Sequence, residues 1–205
     1  MSGLPGPRLR LALGIAGVVG SAAVVRQDRV GRRETRAFRL VNGLPDSLFP
    51  PVWVVMQLGS LGGALAAAGV AQAARQHALA RRLLVGGTVS WALSKVVKRG
   101  IRRPRPGALM PDIHRRGQEA TGMGYLSGHA AVAVALGAAV LPVTGRAGRT
   151  AVLLAVPTVG LCRIYVGAHL PLDVVGGAAL GLAVEAATRM RRPAPHPSSR
   201  AAKAL

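Results

Sequence analysis

The chain has 205 residues, 50% of them hydrophobic, a mean hydropathy of +0.36, and 27 Lys+Arg against 7 Asp+Glu for a net charge of +20. One cysteine, Cys162, excludes an intrachain disulfide and any metal site built from cysteines. A polyanionic partner is expected from the charge, but nucleic acid is disfavoured. The basic residues fall between apolar blocks, only 3% of residues are aromatic, and no helix-turn-helix, zinc-finger or RNA-binding signature occurs.

Six apolar blocks follow one another, rich in Ala, Val, Leu and Gly: Leu11–Val25, Val52–Ala74, Leu83–Val97, Ala130–Val143, Ala151–Tyr165 and Leu172–Ala187. Several are shorter than the roughly 20 residues that cross a bilayer, so their helices are expected to run on into flanking polar residues. The expected fold is all-α: a six-transmembrane-helix bundle, with residues 1–190 as one integral membrane domain. The first block follows Arg8 and Arg10, as in a signal peptide. With no clear cleavage site before five more apolar blocks, a retained helix is favoured.

Between the first two blocks, Arg26–Pro50 is polar with an apolar stripe through Val30, Phe38, Leu40 and Val41, which predicts an interfacial helix. Gly59 with Gly63, and Gly177 with Gly181, have the G-x-x-x-G spacing that lets helix backbones approach closely. The basic, Pro- and Ser-rich residues 191–205 read as a disordered tail.

Six spans place both termini on one membrane face and the third and fifth loops on the other. Lys and Arg divide almost evenly between the faces. Setting aside Lys98, Arg105 and Arg163 tips the count towards cytoplasmic termini.

The third and fifth loops bring three polar clusters to one face. These are KRGIRRPRP (Lys98–Pro106), LSGH (Leu126–His129) and CRIYVGAHLPLD (Cys162–Asp173). They hold cations, a hydroxyl, two imidazoles and a carboxylate, an inventory suited to phosphoryl transfer by positioning and electrostatic stabilisation. Arginine forks match phosphate oxygens, and the Ser127–Gly128 backbone at a helix start can present N–H groups to an anion. One histidine can attack phosphorus while the other moves protons to and from oxygen. Asp173, four residues after His169, is spaced to hold one nitrogen of that ring protonated.

The pattern K-x6-R-P, then S-G-H, then R-x5-H-x3-D resembles the motif set of the type 2 phosphatidic acid phosphatase superfamily, over Lys98 to Asp173. The resemblance implies His169 as nucleophile, Asp173 as its orienter and His129 as general acid and base. It implies that Lys98, Arg105, Ser127, Gly128 and Arg163 hold the phosphate. It also implies a six-helix membrane form, no metal or other cofactor, and an active site at the outer leaflet. Leu126 and Cys162 depart from the usual Pro and Ser, which bears on rate and substrate fit.

The expected activity is therefore metal-independent hydrolysis of a lipid phosphate or diphosphate through a phosphohistidine. The Ala-, Arg- and Gly-heavy composition points to a high-GC bacterium, its cell membrane, and a polyprenyl (di)phosphate substrate. A phosphotransferase using the same site and a non-catalytic protein binding anionic lipid are the competing readings. Arg102 and Arg103 read as a basic helix end meeting lipid headgroups. His114 and Glu119 read as solvated loop residues, and His77 lies away from the cluster. The acids are too scattered for a two-metal phosphatase.

Overall fold

A computed structural model describes residues 5–26, 30–118 and 121–190. The tail 191–205 and Glu119 lie outside the described residues. Among the described residues the regular structure is entirely helical: α1 (Pro7–Val25), α2 (Arg32–Asn42), α3 (Phe49–Met56), α4 (Leu61–Ala73), α5 (His77–Ile101), α6 (Pro106–Leu109), α7 (Gly128–Val140), α8 (Arg146–Tyr165) and α9 (Pro171–Met190).

Each apolar block became helix, and five of the helices run past the block into polar residues, as the short blocks required. The second block is broken. Its two halves meet at 65°, where Ser60 caps α4 by accepting the Gly63 N–H at 2.9 Å and donating to the Gln57 carbonyl at 2.7 Å. By length and composition three helices, α1, α8 and α9, are able to cross a membrane, or four if the bent pair is one span. The count of six spans is not reproduced on that measure: α7 has 13 residues, and α5 carries basic residues at both ends. The chain is a multi-pass helical membrane protein all the same, with Leu, Val and Ile side chains of α1 and α8 facing outward.

Small residues set the packing. A side chain at Gly177 would collide with the Ser127 carbonyl, and one at Gly181 with the Ala131 carbonyl, so α9 lies directly against the start of α7. The first G-x-x-x-G pair acts differently. Gly59 abuts the His129 carbonyl, whereas Gly63 lies closest to its own Gln57–Leu58 turn.

The segment expected to form an interfacial helix is helical as α2, with its stripe shifted. Glu34, Phe38 and Asn42 are the buried residues at the helical repeat, while Leu40 points outward at 68% exposure. Arg32, Arg33, Arg36 and Arg39 occupy the exposed face. Asn42 fastens the end of α2 to the third loop and to α8, through the His114 backbone at 2.8 and 2.9 Å and the Tyr165 carbonyl at 2.9 Å.

Candidate active site

The site lies where α5 ends, α7 begins, α8 ends and α9 begins. α5 stops at Arg102, which adopts a left-handed φ of 56°, and the chain reverses through Arg103–Pro106. Lys98, one turn earlier, donates to the Met123 and Gly124 carbonyls at 2.9 and 3.1 Å. Arg105 donates to the Thr121, Gly122 and Ala168 carbonyls at 2.7–3.2 Å. These bonds hold the third loop and fix where the two cations stand. Burial, partly offset by Asp173, lowers the Arg105 pKa below its ordinary value.

Two cavities meet here, of about 920 and about 600 Å3, sharing Arg105, Thr121, His129 and Arg163 in their walls. The smaller one also exposes Lys98, Gly128 and His169. Six of the eight expected positions thus border one space, with both histidines among them. Ser127 and Asp173 stand behind it, fully buried.

Ser127 is engaged structurally. Its N–H donates to the Asp173 carbonyl at 2.8 Å, and its Oγ accepts the Ala130 N–H at 3.4 Å as the cap of α7. The expectation that the Ser127 N–H faces an anion is revised accordingly; Gly128 is the residue of that turn on the cavity side. Leu126 is fully buried in a core cluster with Tyr125, and Cys162 is buried against Met56 and Tyr165.

His169 follows α8 in a tight turn in which its own N–H donates to the Arg163 carbonyl at 3.2 Å. The residue is 2% exposed. Its Nδ1 lies 3.6 Å from Asp173 Oδ2, within electrostatic reach but beyond hydrogen-bond length, and has no other partner. Burial pushes the His169 pKa down to about 3, against the opposing pull of Asp173. The imidazole is therefore neutral, the form that carries a nucleophilic lone pair. Arg163 reaches the Met56 sulfur at 2.9 Å, and its buried Nε has no partner. A cation so placed, beside a cavity, suits an anionic ligand.

The sequence reading missed Arg103 and Glu34. Arg102 is exposed, in keeping with a headgroup contact, but Arg103 turns inward and is 5% exposed. It donates to Asp173 Oδ1 at 2.7 Å and to both Glu34 oxygens at 2.7 and 3.2 Å. Burial lowers its pKa, but these two carboxylates outweigh burial and hold it above the ordinary value. Glu34 was detectable in principle: it precedes Phe38 by four residues and so shares the buried face of α2. His114 is exposed, as expected for a solvated loop residue. Among the described residues no three of His, Cys, Asp and Glu converge as metal ligands would.

Fold and site together define a helical membrane protein with a cationic, two-histidine cavity at one end of its bundle. The chain belongs to the PAP2 superfamily, whose family model matches residues 79–194. Among solved structures it is similar to LpxE of Aquifex aeolicus, with 22% identity over 76% of this chain and 94% of that one, at a TM-score of 0.69. It is also similar to the transmembrane PAP2-type phosphatidylglycerolphosphate phosphatase of Bacillus subtilis, with 21% identity over 88% and 94% of the two chains, at a TM-score of 0.63. No curated protein matches the chain. At these identities the structural likeness is one of fold.

Proposed function

We propose that the protein is a membrane lipid phosphatase that hydrolyses a lipid phosphate or diphosphate, a polyprenyl (di)phosphate first among them, through a phosphohistidine. The observation that carries this reading is the single cavity bordered by Lys98, Arg105, Gly128, His129, Arg163 and His169. Family membership supports the same chemistry.

In this reading the phosphate sits among Lys98, Arg105 and Arg163, with Ser127 and Gly128 shaping the turn beneath it. His169, its Nδ1 proton directed at Asp173, attacks phosphorus through Nε2. The bond from phosphorus to the ester oxygen breaks, and that oxygen takes a proton from His129, which the negative charge of the bound phosphate holds protonated against its burial beside Arg163 and Lys98. His129, now neutral, takes a proton from water as the water oxygen attacks phosphorus. The P–N bond breaks, inorganic phosphate leaves, and both rings return to their starting forms. No step calls for a metal ion. A diphosphate substrate leaves a phosphate monoester in place of an alcohol.

Residues 1–190 act as one membrane domain and 191–205 as a basic tail. The termini are cytoplasmic and the site faces the outer side of a bacterial cell membrane, where the exposed arginines of α2 meet anionic headgroups. The test is phosphate release by purified protein from a panel of lipid phosphates and diphosphates, in chelator. Release that needs a divalent metal contradicts the mechanism. A lipid product carrying the transferred phosphate identifies a transferase instead.

A further inference from the structure

The interfacial helix reaches the catalytic pair through two buried charges that the mechanism above does not use. Glu34 in α2 is 8% exposed, Arg103 is 5% exposed and Asp173 is fully buried. Arg103 forks onto Glu34, with one nitrogen 2.7 Å from Oε2 and the other 3.2 Å from Oε1. That second nitrogen also donates to Asp173 Oδ1 at 2.7 Å. Glu34 Oε1 accepts the Leu172 N–H at 3.0 Å, which locks the acid to the first turn of α9. On the far side of Asp173, Oδ2 accepts the Leu170 N–H at 2.8 Å and faces His169 Nδ1.

A carboxylate buried this completely needs partners on both oxygens, or it neutralises or turns away. Here one oxygen is held by a guanidinium and the other by a backbone amide, so the plane of the carboxylate is fixed. Its rotation decides whether Oδ2 meets the imidazole. The guanidinium is fixed in turn, because its planar fork is matched bidentately by Glu34. Arg103 and Glu34 border neither cavity at the site, so they touch no substrate.

We propose that Arg103 and Glu34 are positioning residues for phosphoryl transfer: Glu34 orients Arg103, and Arg103 sets the Asp173 carboxylate that in turn aims His169. The proposal rests on the phosphatase reading above. It makes α2 part of the reaction's support rather than a membrane anchor alone.

The charged and titratable groups facing the His169–Asp173 pair are Lys98 from α5, Arg103 and Arg105 from the loop after it, Tyr125 from the loop before α7, His129 in the first turn of α7, and Arg163 from α8. Glu34 from α2 stands behind Arg103. Removing Arg103 takes one cation from this set, so a proton on His169 meets less opposition.

The test uses the full chain in detergent with dioctanoyl phosphatidic acid as substrate. Arg103→Met is expected to lower kcat about 100-fold, the upper end for a supporting residue, with KM within about twofold of the parent. The acid limb of its kcat/KM profile moves to higher pH. Arg103→Lys keeps the charge without the fork and regains about tenfold, and Glu34→Gln loses about tenfold in kcat alone. A raised KM at unchanged kcat would overturn the proposal, as would unchanged kcat in all three variants. Should Arg103→Met fail to fold, Arg103→Lys and Glu34→Gln carry the same decision. The 15N signals of the His169 ring, identified by their loss in His169→Ala, give a readout independent of turnover. They should show the Nδ1-protonated tautomer in the parent and a mixture in Arg103→Lys and Glu34→Gln; an unchanged tautomer refutes the positioning role. A parent that hydrolyses no lipid phosphate removes the phosphatase reading, and the tautomer result still decides this one.

Discussion

Two groups of buried charge lie at opposite ends of the bundle, and one of them backs onto a ring, His169, that lines a cavity. At the end away from the site, Glu185 of α9 meets Arg10 of α1 at 2.9 Å and Arg82 of α5 at 2.8 Å, with Glu185 and Arg10 almost fully enclosed. At the other end Asp173, on the same helix, meets Arg103 and faces His169. Both acids are matched to arginine, as burial in a low-dielectric bundle demands. The difference lies in what surrounds the pair. Glu185 ties three helices together and neither cavity at the candidate site reaches it, whereas Asp173 faces, at 3.6 Å, a ring that opens on a cavity. Buried charge alone therefore marks a place that must be satisfied, and adjoining space marks the place where a ligand has room to bind.

Exchanging the roles of the two clusters is the way to break this comparison. The largest effect is expected from His169→Ala, which should cut phosphate release by at least about 10^4-fold, the scale of losing a member of a catalytic triad. Its melting temperature should fall only by the cost of the cavity the ring leaves, because Nδ1 has no hydrogen bond to lose. Glu185→Gln should do the reverse. It leaves Arg10 buried without a counter-charge and should cost about 3–5 kcal/mol of stability, while kcat of the folded fraction stays within about twofold. Denaturant titration beside an activity assay separates the two outcomes; a Glu185→Gln protein of full stability and no turnover would undo the distinction.

The smallest effect sharpens it through pH. His169 is buried neutral, with a pKa near 3 in the fold and about 6.5 in the unfolded chain. Its share of stability is whole above pH 6.5 and is lost as pH falls from there towards 3, by about 1.4 kcal/mol for each unit. Melting temperatures measured from pH 7 to pH 5 should therefore fall more steeply for the parent than for His169→Gln. Glu185→Gln should leave that slope as it is. Identical slopes for the parent and His169→Gln would mean that the ring is charged or exposed.

Much of this was legible before any coordinates. Apolar blocks report helices because burying a helix in a bilayer requires runs of apolar side chains, and all six became helical. The motif spacings pointed to the residues that border the cavity for a related reason: each spans a short stretch of chain, where sequence distance limits spatial distance. Lys98 to Arg105, and His169 to Asp173, are such cases. What could not be read depended on contacts between distant segments. Glu34 and Arg103 are 69 positions apart, and although the spacing to Phe38 puts Glu34 on the inner face of α2, nothing in the sequence names Arg103 as its partner. Ser127 makes the same point in reverse. Its place in the motif is plain, but its N–H turns out to be bound to a carbonyl 46 residues later, a detail that only the packing of α7 on α9 decides. The bend at Ser60 was hidden because a Ser within a Gly-rich stretch reads equally as helix interior or cap.

The central claim is that a histidine of this cavity takes the phosphoryl group before water does, and the steric course at phosphorus tests it most directly. A lipid phosphorothioate made chiral with oxygen isotopes, hydrolysed by the purified protein in isotopically labelled water, should yield thiophosphate with retained configuration, since two in-line displacements restore the original hand. Inverted configuration would show that water attacks the substrate directly, and would contradict the account.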